Sequence, residues 1–172
     1  MQNGNGKVKN GKEPDSSKFN SQTYGELSLA QSVAKIYEYI LQEPEYSYRV
    51  IIGSDSQPNH KTADFVSAVI VHRVGAGGIY FWQRKVLETY SLRDRIYKEA
   101  LLSLDVAEKV TDEFDKFDIL ESSLLEIHVD VGKNGETREL IAEVVGMVRG
   151  NGFAVKIKPE AYGAAIVADR HA

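Results

Sequence analysis

The stretch VIIGSDSQPNH, Val50 to His60, decides how the chain is read: it is apolar for three residues and then turns abruptly small and polar. A Val-Ile-Ile run stopped by Gly53 predicts a central strand covered on both faces. Pro58 predicts that the chain breaks into a turn just beyond it. Asp55 then falls at the carboxyl edge of a sheet, where open α/β folds place their ligands. Aspartates also end strands and open turns with no further role, so the flanking segments must decide between the two readings.

Upstream, Leu29, Val33, Ile36, Tyr37 and Ile40 recur at helical spacing after Ser28 and stop before Pro44, which predicts one amphipathic helix. Three strands are predicted at 48–55, 64–74 and 79–87, the last two joined through GAGG as a hairpin. A long helix over 91–110 follows, opened by Ser91 with Asp94 three residues on, and a second helical stretch over 112–123. Strand 124–132, helix 135–152, strand 153–158 and a closing helix over 159–172, with Pro159 in its first turn, complete the order. Three strands that meander antiparallel, followed by strand-helix-strand with a right-handed crossover, give an α/β fold: one mixed five-stranded sheet with helices on both faces.

Residues 1–20, rich in Asn, Gly, Ser and Lys, read as a disordered tail; 21–172 read as one domain with an extra N-terminal helix. A chain of 172 residues with 42% hydrophobic content has room for one core of ordinary size. No window approaches the ~18 consecutive apolar residues of a membrane span, so a soluble, cytoplasmic protein without a membrane partner is expected. The absence of cysteine excludes disulfides, iron–sulfur clusters and Cys-ligated zinc, so a metal would be held by oxygen or imidazole. A net charge of −4 speaks against coating nucleic acid by bulk positive charge. It suits an acidic site whose field divalent ions reverse.

Three carboxylates stand out. On the 91–110 helix Glu99 falls among Leu92, Ile96, Val106 and Val110, whereas Asp94, Lys98, Asp105, Glu108 and Lys109 collect on the opposite side. A carboxylate on a packing face needs a cation, a hydrogen-bond network or a metal. In LLEIHVDVG, Asp130 is the last polar residue of an alternating strand, just before Gly132. If that strand lies parallel beside the Val50 strand, Asp55 and Asp130 emerge together. Asp169, with His171 as a substitute, can return to the same edge on the closing helix. Such a cluster suits two Mg²⁺ or Mn²⁺ ions acting in phosphodiester cleavage.

IGSDSQ, the Glu99 helix, HVDVG, KIKPEA and the terminal ADR together resemble the YkuK-like family of the ribonuclease H-like superfamily, over residues 48–170. The resemblance implies a ribonuclease H-like fold, with Asp55, Glu99 and Asp130 matching the catalytic carboxylates and Asp169 the fourth position. It implies a Mg²⁺- or Mn²⁺-dependent nuclease acting on RNA, DNA or a hybrid. The alternative is a domain that no longer cuts and serves as a nucleic-acid or protein interaction module. Lys133, Arg138, Lys156, Lys158 and Arg170 are candidate phosphate contacts and Tyr162 a candidate base contact. DVGKNGET also resembles the phosphate loop of actin-like ATPases, but there the loop joins two hairpin strands and here a helix is expected. No P-loop or dinucleotide glycine motif is present, and the four histidines lack ligand spacing.

Overall fold

The computed structural model describes residues 18–117, 124–133 and 137–171, with the side chains of Ala164, Ala168 and Asp169 excepted. The strands are β1 Lys18–Ser21, β2 Gly25–Ser28, β3 Tyr48–Asn59, β4 Thr62–Arg73, β5 Gly77–Glu88, β6 Leu125–His128 and β7 Ala154–Lys156. The helices are α1 Leu29–Gln42, α2 Leu92–Phe114, α3 Ile141–Gly150, preceded by a 3-10 turn at Arg138–Leu140, and α4 Gly163–His171. The strands form one mixed sheet in the order β2-β1-β5-β4-β3-β6-β7. β3, β4 and β5 meander antiparallel, and β6 pairs parallel with β3 and β7 parallel with β6. No described helix is long and apolar enough to cross a membrane.

The sheet has seven strands where five were expected. The two extra strands are the β1–β2 hairpin, added to the edge of β5 through Asn20 and Trp82. Lys18, Phe19 and Asn20 belong to this hairpin and not to the expected tail: a four-residue strand is too short to display an alternation, yet Phe19 is 4% exposed and belongs to the core. Residues 1–17 lie outside the described residues.

The Val50 strand does not break near Pro58: β3 continues to Asn59, paired with β4 down to Asn59 and Thr62. The hairpin turns at the next two residues, with His60 at a positive φ of 54°. Beyond Gly53 the parallel partner β6 has ended, so Pro58 lies on a strand paired on one side only, where a missing N–H is tolerated. Asp55 is therefore inside a strand, just past the point where β3 and β6 part.

Three helix boundaries differ from expectation: the helix expected over 135–152 is α3, Ile141–Gly150, entered through the 3-10 turn, and two others differ for local reasons. α2 runs on through Phe114, absorbing the first part of the stretch read as a separate helix, because Val110 and Phe114 continue its buried face. Residues 118–123 lie outside the described residues. The closing helix starts at Gly163 and not at Pro159; residues 158–160 form a turn in which the Glu160 and Ala161 N–H groups both donate to the Ile157 carbonyl. Gly163 is there for space: a Cβ would lie 2.9 Å from Ile51 Cγ2 and from Ile70 Cδ1. α4 is thereby seated directly on the sheet.

The capping signals act as read. Ser28 and Gln31 form a reciprocal capping box on α1, and the Ser91 side chain accepts from the Asp94 N–H on α2. The main core, with Val50, Ile52, Val69, Val71, Phe81 and Ile127 from the sheet, lies under α1, α2 and α3. On the opposite face α4 alone covers a smaller cluster, Val66, Ala68 and Val167 with Ile70, Tyr80 and Trp82 packed around it.

Candidate active site

β3 and β6 are adjacent and parallel, in register from Val50 and Leu125 to Gly53 and His128. Continuing that register brings Asp55 and Asp130 out at the same end of the sheet, on strands spaced ~4.8 Å apart. Asp130 is not the last residue of the strand, which ends at His128. It sits at the apex of a tight turn closed by the Val131 N–H on the Val129 carbonyl, 2.9 Å. Val129 and Val131 both turn into the main core, and that sends the Asp130 carboxylate the other way.

Asp55 keeps to the same side. Ser54 and Ser56 bond to groups on α2, so strand alternation turns Asp55 toward the face of α4. Its Oδ1 accepts from the Ser56 N–H at 2.8 Å.

Glu99 arrives from the opposite layer, on the buried face of α2, and is 3% exposed. Ser56 Oγ donates to its Oε1 at 2.6 Å, whereas Oε2 is buried and has no hydrogen-bond partner among the described residues. Burial is the main force pushing the Glu99 carboxyl up to about 8; the charges of Asp55 and Asp130 add to it, against the Ser56 hydrogen bond and the Arg95 charge. Beneath this pair Ser103 Oγ donates to the Glu99 carbonyl at 2.8 Å and lies 3.1 Å from Ser54 Oγ, which is 2.7 Å from Ser67 Oγ. These hydroxyls fix the α2 turn that carries Glu99 against β3 and β4.

Lys158 closes the cluster. Its Nζ is 2.6 Å from Asp130 Oδ1, with the side chains 54% and 27% exposed. The hydrogen bond to Asp130 raises Lys158 above the ordinary lysine range against partial burial, and the charges of Asp130, Asp55 and Glu99 raise it further. The ammonium thus lies within the field of all three carboxylates. Expected from sequence as a phosphate contact, Lys158 is tied here to the acid cluster. Lys133 is exposed and lines, with Gly132 and Lys158, a cavity of about 450 Å³ beside it; Arg138 is exposed on the 3-10 turn.

Asp169 lies on α4, and its side chain is outside the described residues. His171, the substitute for it, is elsewhere: its ring stacks on Trp82 and its Nε2 is 3.1 Å from the Tyr80 hydroxyl. Arg170 is exposed in the same neighbourhood. His128 ties α4 to β6. Its Nδ1 accepts from the Tyr162 and Gly163 N–H groups at 3.3 and 3.4 Å, so Nε2 carries the proton toward Glu126 Oε1, 2.9 Å away. Burial holds His128 below the ordinary histidine range, against the Glu126 hydrogen bond.

The donors are all oxygen and one is an orphan, which fits a hard divalent cation in kind. Their spacing is not that of a closed site: among the described residues no group of three or more His, Cys, Asp or Glu is placed to hold a metal ion. Ser56 engages Glu99 and Lys158 engages Asp130 instead. Sequence reasoning missed Ser56 and Ser103. Their signals were present, as the serine after Asp55 and the residue one helical turn after Glu99.

Comparison with known proteins agrees with the fold. A ribonuclease H-like family profile matches residues 31–172. The "Uncharacterized protein YkuK" of Bacillus subtilis (strain 168) is 29% identical over 167 residues, covering 91% of this chain and 97% of that protein. No solved structure matches. The chain belongs to the ribonuclease H-like family, with the YkuK-like proteins.

Proposed function

We propose that the chain is a divalent-metal-dependent nuclease that hydrolyses phosphodiester bonds of nucleic acid, with Asp55, Glu99, Asp130 and Asp169 as the Mg²⁺ or Mn²⁺ ligands. The observation that carries this reading is Glu99: a carboxylate 3% exposed, with one oxygen unpartnered, facing the field of two more carboxylates. No stability argument explains that placement, because an unpaired buried acid beside like charges costs free energy. Divalent ions bound there supply Lewis acidity at the scissile phosphate and at the leaving oxygen.

The chain's own residues have separate tasks. Asp55, within β3, and Asp130, in the turn just after β6, present their carboxylates at the same end of the sheet, and Glu99 approaches from the α2 side. Ser56 fixes the rotamer of Glu99 through a 2.6 Å hydrogen bond. Lys158 neutralises Asp130 when no other cation does, and it is half-exposed, so it can swing toward a phosphate. Lys133, Arg138 and Arg170 are the further phosphate contacts of the proposal.

A second reading, the non-cutting interaction module, is favoured by one contact: the Lys158–Asp130 ion pair places a side-chain ammonium where a metal-dependent enzyme needs a divalent ion. One experiment separates the two. Mn²⁺ is titrated calorimetrically into the protein, and the loaded protein is incubated with labelled single-stranded, duplex, hybrid and branched substrates. The nuclease binds Mn²⁺, cleaves at least one substrate, and loses both properties in Asp55→Asn and Asp130→Asn. Absence of Mn²⁺ binding at millimolar concentration together with absence of cleavage leaves the module.

A further inference from the structure

α4 packs across β3 and β4 and meets the same face of β5 with His171, which lies against Tyr80 and Trp82. Phe81 points into the main core, whereas Tyr80 and Trp82 belong to the α4 side, the side on which Asp55 and Asp130 also emerge. Where α4 ends, the His171 ring lies flat on the Trp82 indole, with centroids 4.2 Å apart and planes 14° apart. The Tyr80 hydroxyl, 3.1 Å from His171 Nε2, holds that ring in place. The β1–β2 hairpin forms the far wall with Asn20 and Gln22, Arg170 stands at the rim, and the cleft encloses about 580 Å³.

We propose that this cleft takes an unpaired base of a single-stranded nucleic acid. The inference rests on the nucleic-acid reading of the carboxylate site and adds to it a substrate form and a second point of contact. A flat aromatic stack, fixed on one side by the sheet and at its edge by Tyr80, is built to receive a third π-system. The amides of Asn20 and Gln22 offer both donors and acceptors to the edge of such a ring. Arg170, exposed and without a carboxylate partner among the described residues, suits the adjoining phosphate. Bases within a duplex are already stacked on one another and cannot enter.

The position is consistent with one strand serving both sites. Trp82 aligns through Ala68 with Gly53, so strand spacing and rise put it about 12 Å from Asp55, a reach of a few nucleotides. An overall charge of −4 repels a polyanion, so affinity must come from stacking more than from charge, and its salt dependence must be shallow.

Trp82 is the only tryptophan of the chain, and its emission reports the site directly. Full-length protein carrying Asp55→Asn is titrated in EDTA, without divalent ions, with a short oligothymidylate, an abasic strand of equal length and a duplex. The oligothymidylate quenches Trp82 and binds about tenfold tighter than the abasic strand or the duplex. His171→Ala brings its affinity down to the abasic level. Tyr80→Phe, which keeps the ring and removes only the hydroxyl, weakens it several-fold and guards against a folding defect. Three results overturn the proposal: equal affinity for base-bearing and abasic strands, no binding of any strand, or folded His171→Ala and Tyr80→Phe proteins that bind like the parent. Parallel Mn²⁺ cleavage assays on the unmodified protein keep the two readings apart. Cleavage without quenching removes the base site and leaves the nuclease; quenching without cleavage does the reverse.

Discussion

The sheet buries an ionisable side chain at each end, and the two are treated in opposite ways. At one end Arg73, 8% exposed, has a partner at each of its three nitrogens. Its Nε donates to the Tyr48 hydroxyl at 3.0 Å, Nη2 to the Tyr39 carbonyl at 3.2 Å, and Nη1 meets Glu43 Oε2 at 2.8 Å. The guanidinium also lies over the Tyr39 ring, 4.2 Å from its centroid. At the other end Glu99 has, among the described residues, a single side-chain hydrogen bond, an unpartnered oxygen and like charges nearby. A buried charge with a partner at every nitrogen locks structure; a buried acid with one oxygen unanswered leaves room for a ligand. The difference separates the end of the sheet that holds the fold from the end to which the proposed function assigns the chemistry.

The largest expected effect tests the Arg73 end. Arg73→Ala removes its contacts to the Tyr39 carbonyl, the Tyr48 hydroxyl and the Glu43 carboxylate at once and takes away a buried side chain packed on the Tyr39 ring, so scanning calorimetry should show a thermal midpoint lowered by about 10 °C. Below that midpoint Mn²⁺ affinity should be unchanged. A stable Arg73→Ala protein with weakened metal binding would break the division between the two ends.

Glu99→Gln should move stability in the other direction. The folded-state value of about 8 lies above the ordinary glutamate range, so the folded protein holds this proton more tightly than the unfolded chain. Stability is therefore full below the unfolded value near 4.5 and falls as pH rises to about 8, by a few kcal/mol in all, beyond which this contribution is flat. Glutamine carries no such proton. At pH 8 its midpoint should exceed that of the parent by several degrees, and the pH slope assigned to Glu99 should vanish. Metal binding must displace the same proton, so Mn²⁺ affinity of the parent should rise through that pH range and be weak and pH-insensitive in the variant. A lower midpoint for Glu99→Gln across the whole range would mark Glu99 as a structural partner like Arg73.

Ser56→Ala is a smaller step on the same residue. It removes the hydrogen bond that, among the described residues, favours the ionised form of Glu99, so the carboxyl should titrate at still higher pH. The loss of one hydrogen bond costs about 1 kcal/mol, or roughly 2–4 °C in the midpoint. Titration followed by NMR of the Glu99 side chain reads the first effect, and calorimetry the second.

The two ends were unequally legible in the sequence. VIIGSD and LLEIHVD announced two strands whose hydrophobic runs end near acids, and the misplaced carboxylate on the α2 face announced Glu99, because burial patterns are written in local periodicity. Arg73 gave no such signal. Its partners come from α1, the connection after it and the start of β3, a convergence that only tertiary structure reveals. The same limit hid the β1–β2 hairpin, whose four-residue strands pair with each other and join the sheet where Asn20 of β1 meets Trp82 of β5, too short to show a pattern of their own. Lys158 was legible as a cation near the site but not as the partner of Asp130, since a lysine in KIKP reads equally well as solvated surface.

Lys158→Met gives the smallest effect on stability and the sharpest one on the contrast. The ion pair with Asp130 is half-exposed, so its removal should change stability by no more than about 1 kcal/mol. Its consequence lies in competition: the ammonium and a divalent cation cannot both hold Asp130 Oδ1, and each must displace the other. If this end of the sheet is a metal site held shut by its own lysine, Mn²⁺ should bind Lys158→Met several-fold to about tenfold more tightly, as measured by isothermal calorimetry. Cleavage at saturating Mn²⁺ should then fall if Lys158 swings to the substrate phosphate, and stay unchanged if its only task is to guard Asp130. If the ion pair is instead the finished form of a non-cutting module, Lys158→Met leaves Asp130 unpaired and still binds no Mn²⁺. In that case Asp130, like Arg73, belongs to the structural inventory, and the distinction between the two ends fails at its most exposed contact.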